Sequence, residues 1–347
     1  MHYQLFSKLL LRWHLHHNHR KMPWKGIKDP YKIWLSEIIL QQTRVEQGEK
    51  YYHALLEKYP TIADLANADE ATLYRLWQGL GYYNRCKNML HTAQIITQQH
   101  QGKFPDTYDA IRQLKGIGPY TAAAIASFAF DLPYAVIDGN VVRILSRYFG
   151  LKIDFNQGQG KKEFEALAAS LLDQKNNALF NQAMMDLGAT ICKPQNPLCG
   201  QCPFQKKCYA FLNQQIKDFP LKKIKPPLKH RYFHFMVIEY QDILFIHQRK
   251  EKDIWHNLYS FYMLETKEIQ LEDFILLNKK NIKPFTETYT QQLTHQKIHG
   301  LFYKIKIENP KIIKDLGLIS IQKTALKNFA FPRMIISFLE NNHYLSS

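Results

Sequence analysis

Four cysteines, Cys192, Cys199, Cys202 and Cys208, fall within seventeen residues that also carry Pro194, Pro197, Gly200 and Pro203. Proline removes a helical donor and clashes with the preceding turn, so this stretch cannot be one continuous helix. It must be held by something other than its own backbone. Secreted disulfide scaffolds disperse their cysteines in pairs, whereas a dense cluster with one distant Cys86 is the usage of a reducing compartment and reads as a metal or iron–sulfur site. By ligand count alone, four thiolates suit tetrahedral zinc and a 4Fe-4S cluster equally.

The chain around this cluster has 347 residues, enough for two or three domains, and its 46% apolar content supplies real cores. Lys plus Arg exceed Asp plus Glu by 46 − 30 = 16. Such an excess concentrates polyanions and points to nucleic acid. The opening MHYQLFSKLLLRWH is too interrupted by charge for a signal peptide, and no apolar run reaches the length a membrane span needs. The expected location is the cytoplasm, in association with the nucleoid.

Residues 1 to about 215 repeat their apolar positions three and four apart, the signature of successive helices, with no convincing strand. Asp29-Pro30 is a start signal, a capping residue before proline at the first helical position. Between Lys217 and Arg231 six basic residues and three prolines face a single acid, Asp218, and this connector marks the domain boundary. Beyond it the period becomes two: strands are expected at Tyr232–Tyr240, Ile243–Gln248 and Leu301–Ile307, and helices near Leu271–Leu277 and Pro332–Leu339. The histidines 14, 16, 17 and 19 read as a solvated or DNA-facing helix surface.

Three features carry chemistry. In residues 114–125, LKGIGPYTAAAI, Gly116 and Gly118 sit between two helical runs. Glycines there can turn the backbone tightly and aim amides at a phosphate, or can simply cap an αα-turn. Glu37 lies four positions after Ile33 and three before Leu40, which puts a carboxylate on an apolar helix face. Lost hydration favours its neutral form and suits a general acid near neutral pH; a solvated or ion-paired Glu is the alternative. Asp138 precedes Gly139 and VVRIL, so it caps a helix whose amides keep it ionised. Two carboxylates with separated proton affinities suit glycosidic chemistry through a cationic sugar.

With LKGIGPYTA, then IDGNVVR at 137–143, then C-x6-C-x2-C-x5-C, the chain from about Trp24 to Cys208 resembles the helix-hairpin-helix DNA glycosylases that carry an iron–sulfur cluster. WLSEIILQQT at 34–43, GLGYY at 79–83 and FNQAMMDLG at 180–188 are similar to the adenine-specific branch of that superfamily. The resemblance implies a multidomain α and α+β protein: an all-helical glycosylase domain at 1–216 with its iron–sulfur loop at 192–208, a basic linker at 217–231, and a Nudix-like α+β domain at 232–347. It implies a monomer acting on duplex DNA at adenine mispaired with 8-oxoguanine or guanine.

By the same resemblance, Glu37 protonates the adenine leaving group, Asp138 stabilises the sugar cation, and Tyr120 and Asn140 orient them. Trp24 and Gln182 line the adenine pocket. Gln41, Gln42 and Tyr82 fill the space beside the orphan base, while Gly116 and Gly118 hold phosphate. The four clustered cysteines bind a 4Fe-4S cluster. Lyase relatives similar to endonuclease III carry a Schiff-base lysine where Tyr120 stands; a phenol forms no imine, so base excision without efficient strand cleavage is expected. Lys115 replaces the family's usual proline. A pyrimidine glycosylase with lyase activity, a non-catalytic damage-binding protein and an electron carrier are the rival readings.

WHNLYSF at 255–261 is similar to a segment of the Nudix-like domain in these enzymes, but the carboxylates a Nudix hydrolase needs for magnesium are missing downstream. Leu293, Thr294 and His295 correspond to the family's Phe-Ser-His turn for 8-oxoguanine. Leu293 departs from it, leaving Thr294 and His295 as hydrogen-bonding groups.

Overall fold

The computed structural model describes residues 2–221, 227–266, 282–285 and 287–345. Its contacts divide the chain into two compact units, Met1–Ala68 with Lys87–Ile224 and Asp69–Cys86 with Lys225–Ser347. Helices come first: α1 (His2–His17), α2 (Pro30–Leu40), α3 (Val45–Lys58), α4 (Ile62–Ala66), α5 (Glu70–Leu76), α6 (Tyr83–Gln99), α7 (Tyr108–Gln113), α8 (Pro119–Phe130), α9 (Gly139–Phe149), α10 (Gly158–Leu171), α11 (Asn177–Thr190) and α12 (Tyr209–Leu212). The first unit has no strand among its described residues.

In that unit α2 starts as the sequence predicts, with Asp29 accepting from the Tyr31 amide at 2.9 Å and Pro30 in the first turn. Its burial differs from the expected stripe. Tyr31 and every residue from Ile33 to Ile39 are buried, so α2 is a central helix covered all round, and Glu37 loses water with its neighbours. The alanines of α8 are the reason α2 can pack so closely: Ala122, Ala124 and Ala126 are fully buried and present no bulk. A second core joins α1, α9, α10 and α11 through Phe6, Leu10, Leu145, Phe164, Phe180 and Leu187.

The second unit is built on a sheet of β1 (Lys229–Tyr240), β2 (Ile243–Gln248), β3 (Tyr259–Ser260), β4 (Tyr262–Thr266), β5 (Ile282–Pro284), β6 (Tyr289–Gln292), β7 (Gln296–Lys306) and β8 (Ile319–Gln322), with α13 (Arg333–Asn341) packed on it. β1 and β7 run parallel in register from Lys229↔Gln296 to Glu239↔Lys306, and the other pairings are antiparallel. Both faces of β1 are buried: Phe233, Phe235 and Val237 enter one apolar cluster, Met236 and Ile238 the other. That is why its sequence is nearly continuous in apolar residues instead of cleanly alternating.

Residues 69–86 depart from the expected domain boundary. The sequence places them in the helical domain, yet they belong by contact to the second unit. Tyr74 is buried in the same cluster as Phe233 and Phe331, with Tyr83 stacked on it at 5.8 Å. Helical periodicity identifies α5 as a helix but carries no information about which core receives it. The expected helix at Leu271–Leu277 and the linker residues Lys222, Lys223, Lys225 and Pro226 lie outside the described residues. No described helix is long and apolar enough to cross a membrane.

Candidate active site

A cavity of about 960 Å³ in the first unit brings together Trp24, Glu37, Tyr120, Asp138, Asn140 and Gln182. Glu37 comes from the buried α2, Tyr120 from the first turn of α8, Asp138 and Asn140 from the start of α9, and Gln182 from α11. Trp24 precedes α2 and meets Tyr52 edge-to-face at 5.2 Å.

The two carboxylates are held in unlike ways. Burial pushes the Glu37 carboxyl up to about 7; a hydrogen bond with Tyr120 opposes the rise and the negative charge of Asp138 adds to it. Burial likewise drives the Tyr120 phenol well above its ordinary value, helped by the charge of Glu37, so its hydroxyl keeps its proton. Asp138 is met by donors instead. Its Oδ1 accepts from the backbone amides of Asn140 and Val141, both at 2.8 Å, and its Oδ2 accepts from Asn140 Nδ2 at 2.6 Å. One side chain is a weak acid near neutrality and the other a carboxylate with three donors.

Residues that sequence reasoning missed complete this frame. Arg143 donates to Asn140 Oδ1 at 2.7 Å, to Gly188 O at 2.8 Å and to Cys192 O at 2.7 Å, tying the start of α9 to the end of α11 and to the cysteine loop. A Cβ at Gly188 would stand 2.4 Å from Asn140 Cβ, so only glycine lets α9 seat there. Met185 lines the cavity with its sulfur 3.8 Å from the Tyr120 hydroxyl. Arg143, three residues after Asn140, was legible as a helical neighbour; Gly188 needed the packing of α9 on α11. His14 also departs from expectation. It is buried, bonded to Asn18 at 3.0 Å, and only His16, His17 and His19 of that group are exposed.

The remaining candidates lie outside the cavity. Gln41 ends α2 and donates to Thr121 Oγ1 at 3.5 Å, and Gln42 follows, exposed, at φ +58°. Gly116 takes φ +79° against Asn88, as a tight turn demands, but Gly118 has ordinary extended geometry and no protein atom within 4 Å of a Cβ placed there. In the second unit, Thr294 and His295 are exposed between β6 and β7, and the Tyr82 hydroxyl and Thr294 Oγ1 are hydrogen-bonded at 2.5 Å. Leu293 is partly buried against the apolar cluster of that unit.

Cys192, Cys199, Cys202 and Cys208 line one small cavity with Arg147, Ile191 and Phe211, and all are free thiols. Burial and the neighbouring sulfurs raise the thiols of Cys199, Cys202 and Cys208, so each opposes ionisation of the others. Among the described residues no three Cys, His, Asp or Glu side chains converge tightly enough for a single metal ion. Four thiols lining one void are a donor set that suits a thiolate-held metal group.

Residues 35–174 match the HhH-GPD superfamily of base excision DNA repair proteins, and residues 233–341 match the NUDIX domain. An adenine DNA glycosylase of Buchnera aphidicola subsp. Schizaphis graminum is 35% identical over 319 residues, covering 92% of this chain and 89% of that protein. The chain belongs to the adenine DNA glycosylase family. Its members are N-glycosylases of base excision repair, and the two-part fold expected from sequence is the fold found. The adenine DNA glycosylase of Rattus norvegicus is 40% identical over 214 residues, 59% of this chain and 41% of that one. Among solved structures, a thermostable thymine-DNA glycosylase aligns with TM-score 0.56 at 29% identity over 61% of this chain and 97% of its own. Endonuclease III trapped on DNA aligns at 0.53 and 21% identity over 61% of this chain and 98% of its own, a likeness of fold.

Proposed function

We propose that this chain excises adenine from duplex DNA where adenine faces 8-oxoguanine or guanine, leaving an abasic site with the strand uncut. The observation that carries the reading is a neutral acid and a donor-held carboxylate, Glu37 and Asp138, lining one cavity. A base inside a duplex is out of reach, so adenine must first swing out of the stack into this cavity. Glu37 then gives its proton to adenine N7 as the C1′–N9 bond breaks and its electron pair leaves with the base. Asp138, fixed by Asn140, meets the positive charge left on the sugar. Water adds to C1′ and returns a proton to Glu37.

Tyr120 keeps Glu37 in place and, being a phenol, offers no amine for a Schiff base. Gly116 and Gly118 suit a phosphate at the start of α8, where Gly118 leaves room for close approach. Tyr82, Gln41 and Gln42 would occupy the space near the orphan base, and Thr294 with His295 would meet the lesion. Cys192, Cys199, Cys202 and Cys208 would hold a 4Fe-4S cluster, which when bound supplies iron centres against which the thiols ionise together and the loop is cross-linked. The chain would work as a monomer in the cytoplasm, on the nucleoid.

The test is single-turnover release of adenine from a duplex with adenine opposite 8-oxoguanine. Glu37→Gln and Asp138→Asn should each abolish release while duplex binding survives. Near-normal turnover in either variant would refute the assignment. A brown colour with broad visible absorption is expected of the purified protein, and a colourless protein containing zinc would overturn the cluster.

A further inference from the structure

Behind Gln182 stands a buried charge that the chemistry above does not use. Asp186 follows Gln182 by one turn of α11, and its side chain has no exposed surface. Its Oδ1 accepts from Gln182 Nε2 at 3.1 Å and Arg20 Nη1 at 3.0 Å; its Oδ2 accepts from Asn18 Nδ2 at 2.7 Å and Lys25 Nζ at 3.0 Å. A carboxylate whose two oxygens already take donors from Arg20, Asn18 and Lys25 has only acceptors to offer. Gln182 can therefore meet it with nitrogen and never with oxygen. The amide is fixed one way round, and its Oε1 with one remaining N–H is left for the cavity that Gln182 lines.

We propose that Asp186 is a positioning residue for base selection: by orienting the Gln182 amide it makes the cavity accept 6-aminopurines and reject 6-oxopurines. This rests on the reading of the cavity as the pocket for an extruded base. Adenine presents its N6 donor to the Gln182 carbonyl oxygen, while its N7 is left to Glu37. Hypoxanthine and guanine set O6 beside N7, so an acceptor would face Oε1. An amide free to turn over could meet an N6 amino group with its oxygen or an O6 with its N–H, and the preference would vanish. Asp186 forbids that turn because the reversed amide would place oxygen against carboxylate.

The experiment uses the full chain and three duplexes in which 8-oxoguanine faces adenine, hypoxanthine or a purine with no 6-substituent. For Asp186→Asn, whose own amide can donate to the Gln182 oxygen, the ratio of adenine to hypoxanthine release should fall by at least ~10-fold, with the unsubstituted purine changing far less. Asn18→Ala removes a hydrogen bond from the same carboxylate but leaves the Gln182 contact, and should keep the parent's ratio. Equal slowing of all three substrates in Asp186→Asn would mean a structural role and would overturn the proposal. If that variant does not fold, Asp186→Ser decides: a lowered ratio of adenine to hypoxanthine release supports the proposal, and an unchanged ratio overturns it. A parent chain that releases no adenine would defeat the functional reading itself, a result separate from an unchanged ratio in an active enzyme.

Discussion

At Glu37 the proton proposed for catalysis also bears on folding. Its carboxyl titrates near 7 in the folded chain against 4.5 when free, because burial disfavours its charge. A raised value means that the carboxyl's contribution to stability is complete below about 4.5 and is lost as pH rises through about 7. Glu37→Gln, which cannot ionise, should therefore be the more stable protein at pH 8, by something on the order of 3 kcal/mol, since each tenfold change in proton affinity is worth about 1.36 kcal/mol. The gain should disappear near pH 4.5. Thermal unfolding at the two pH values checks this, and a constant difference would show that Glu37 is not desolvated. Adenine release by the parent should fall above pH 7 for the same reason. Tyr120→Lys should yield some borohydride-trapped DNA adduct, and none at all would mean that position 120 does not face the sugar.

The turn from α7 to α8 separates two glycines that look alike in the sequence. Gly116 is demanded by the fold, since it holds φ +79° with Asn88 Cβ 2.8 Å from where its own Cβ would stand. Gly116→Ala should lose about 1 to 3 kcal/mol of stability. Gly118 has neither constraint. Gly118→Ala should melt within about 0.5 kcal/mol of the parent yet bind duplex more weakly, because the added methyl stands where a phosphate would approach. Melting curves beside anisotropy titrations with duplex DNA separate the two effects, and equal destabilisation would refute the distinction. The sequence made the α7–α8 turn, the caps at Asp29 and Asp138, and the long strands readable, because these depend on neighbours within a few residues. Glu37 was readable from the apolar helix around it, although its burial on all sides was not. Arg143, Gly188 and Asp186 act through partners brought together by helix packing, and no local pattern displays such a meeting.

Across the whole molecule the chain passes between its two units three times, because Asp69–Cys86 belongs with Lys225–Ser347. Tyr74 is fully part of that later core, and burying an aromatic of this size is worth about 1.5 to 3 kcal/mol. A fragment ending at residue 224 should consequently leave α5 without its packing partners. Its amides should exchange hydrogen at rates near those of an unfolded chain, whereas the complete chain should protect them. Strong protection of α5 in the fragment would show that its stability is local.

The same threading acts while the protein is being made. Residues 69–86 leave the ribosome about 140 residues ahead of the strands that cover them, a wait of roughly seven to thirty seconds at ordinary elongation rates. For that interval the nascent helical half carries an uncapped aromatic patch, and the tempo of translation becomes a determinant of yield that no purified protein would reveal.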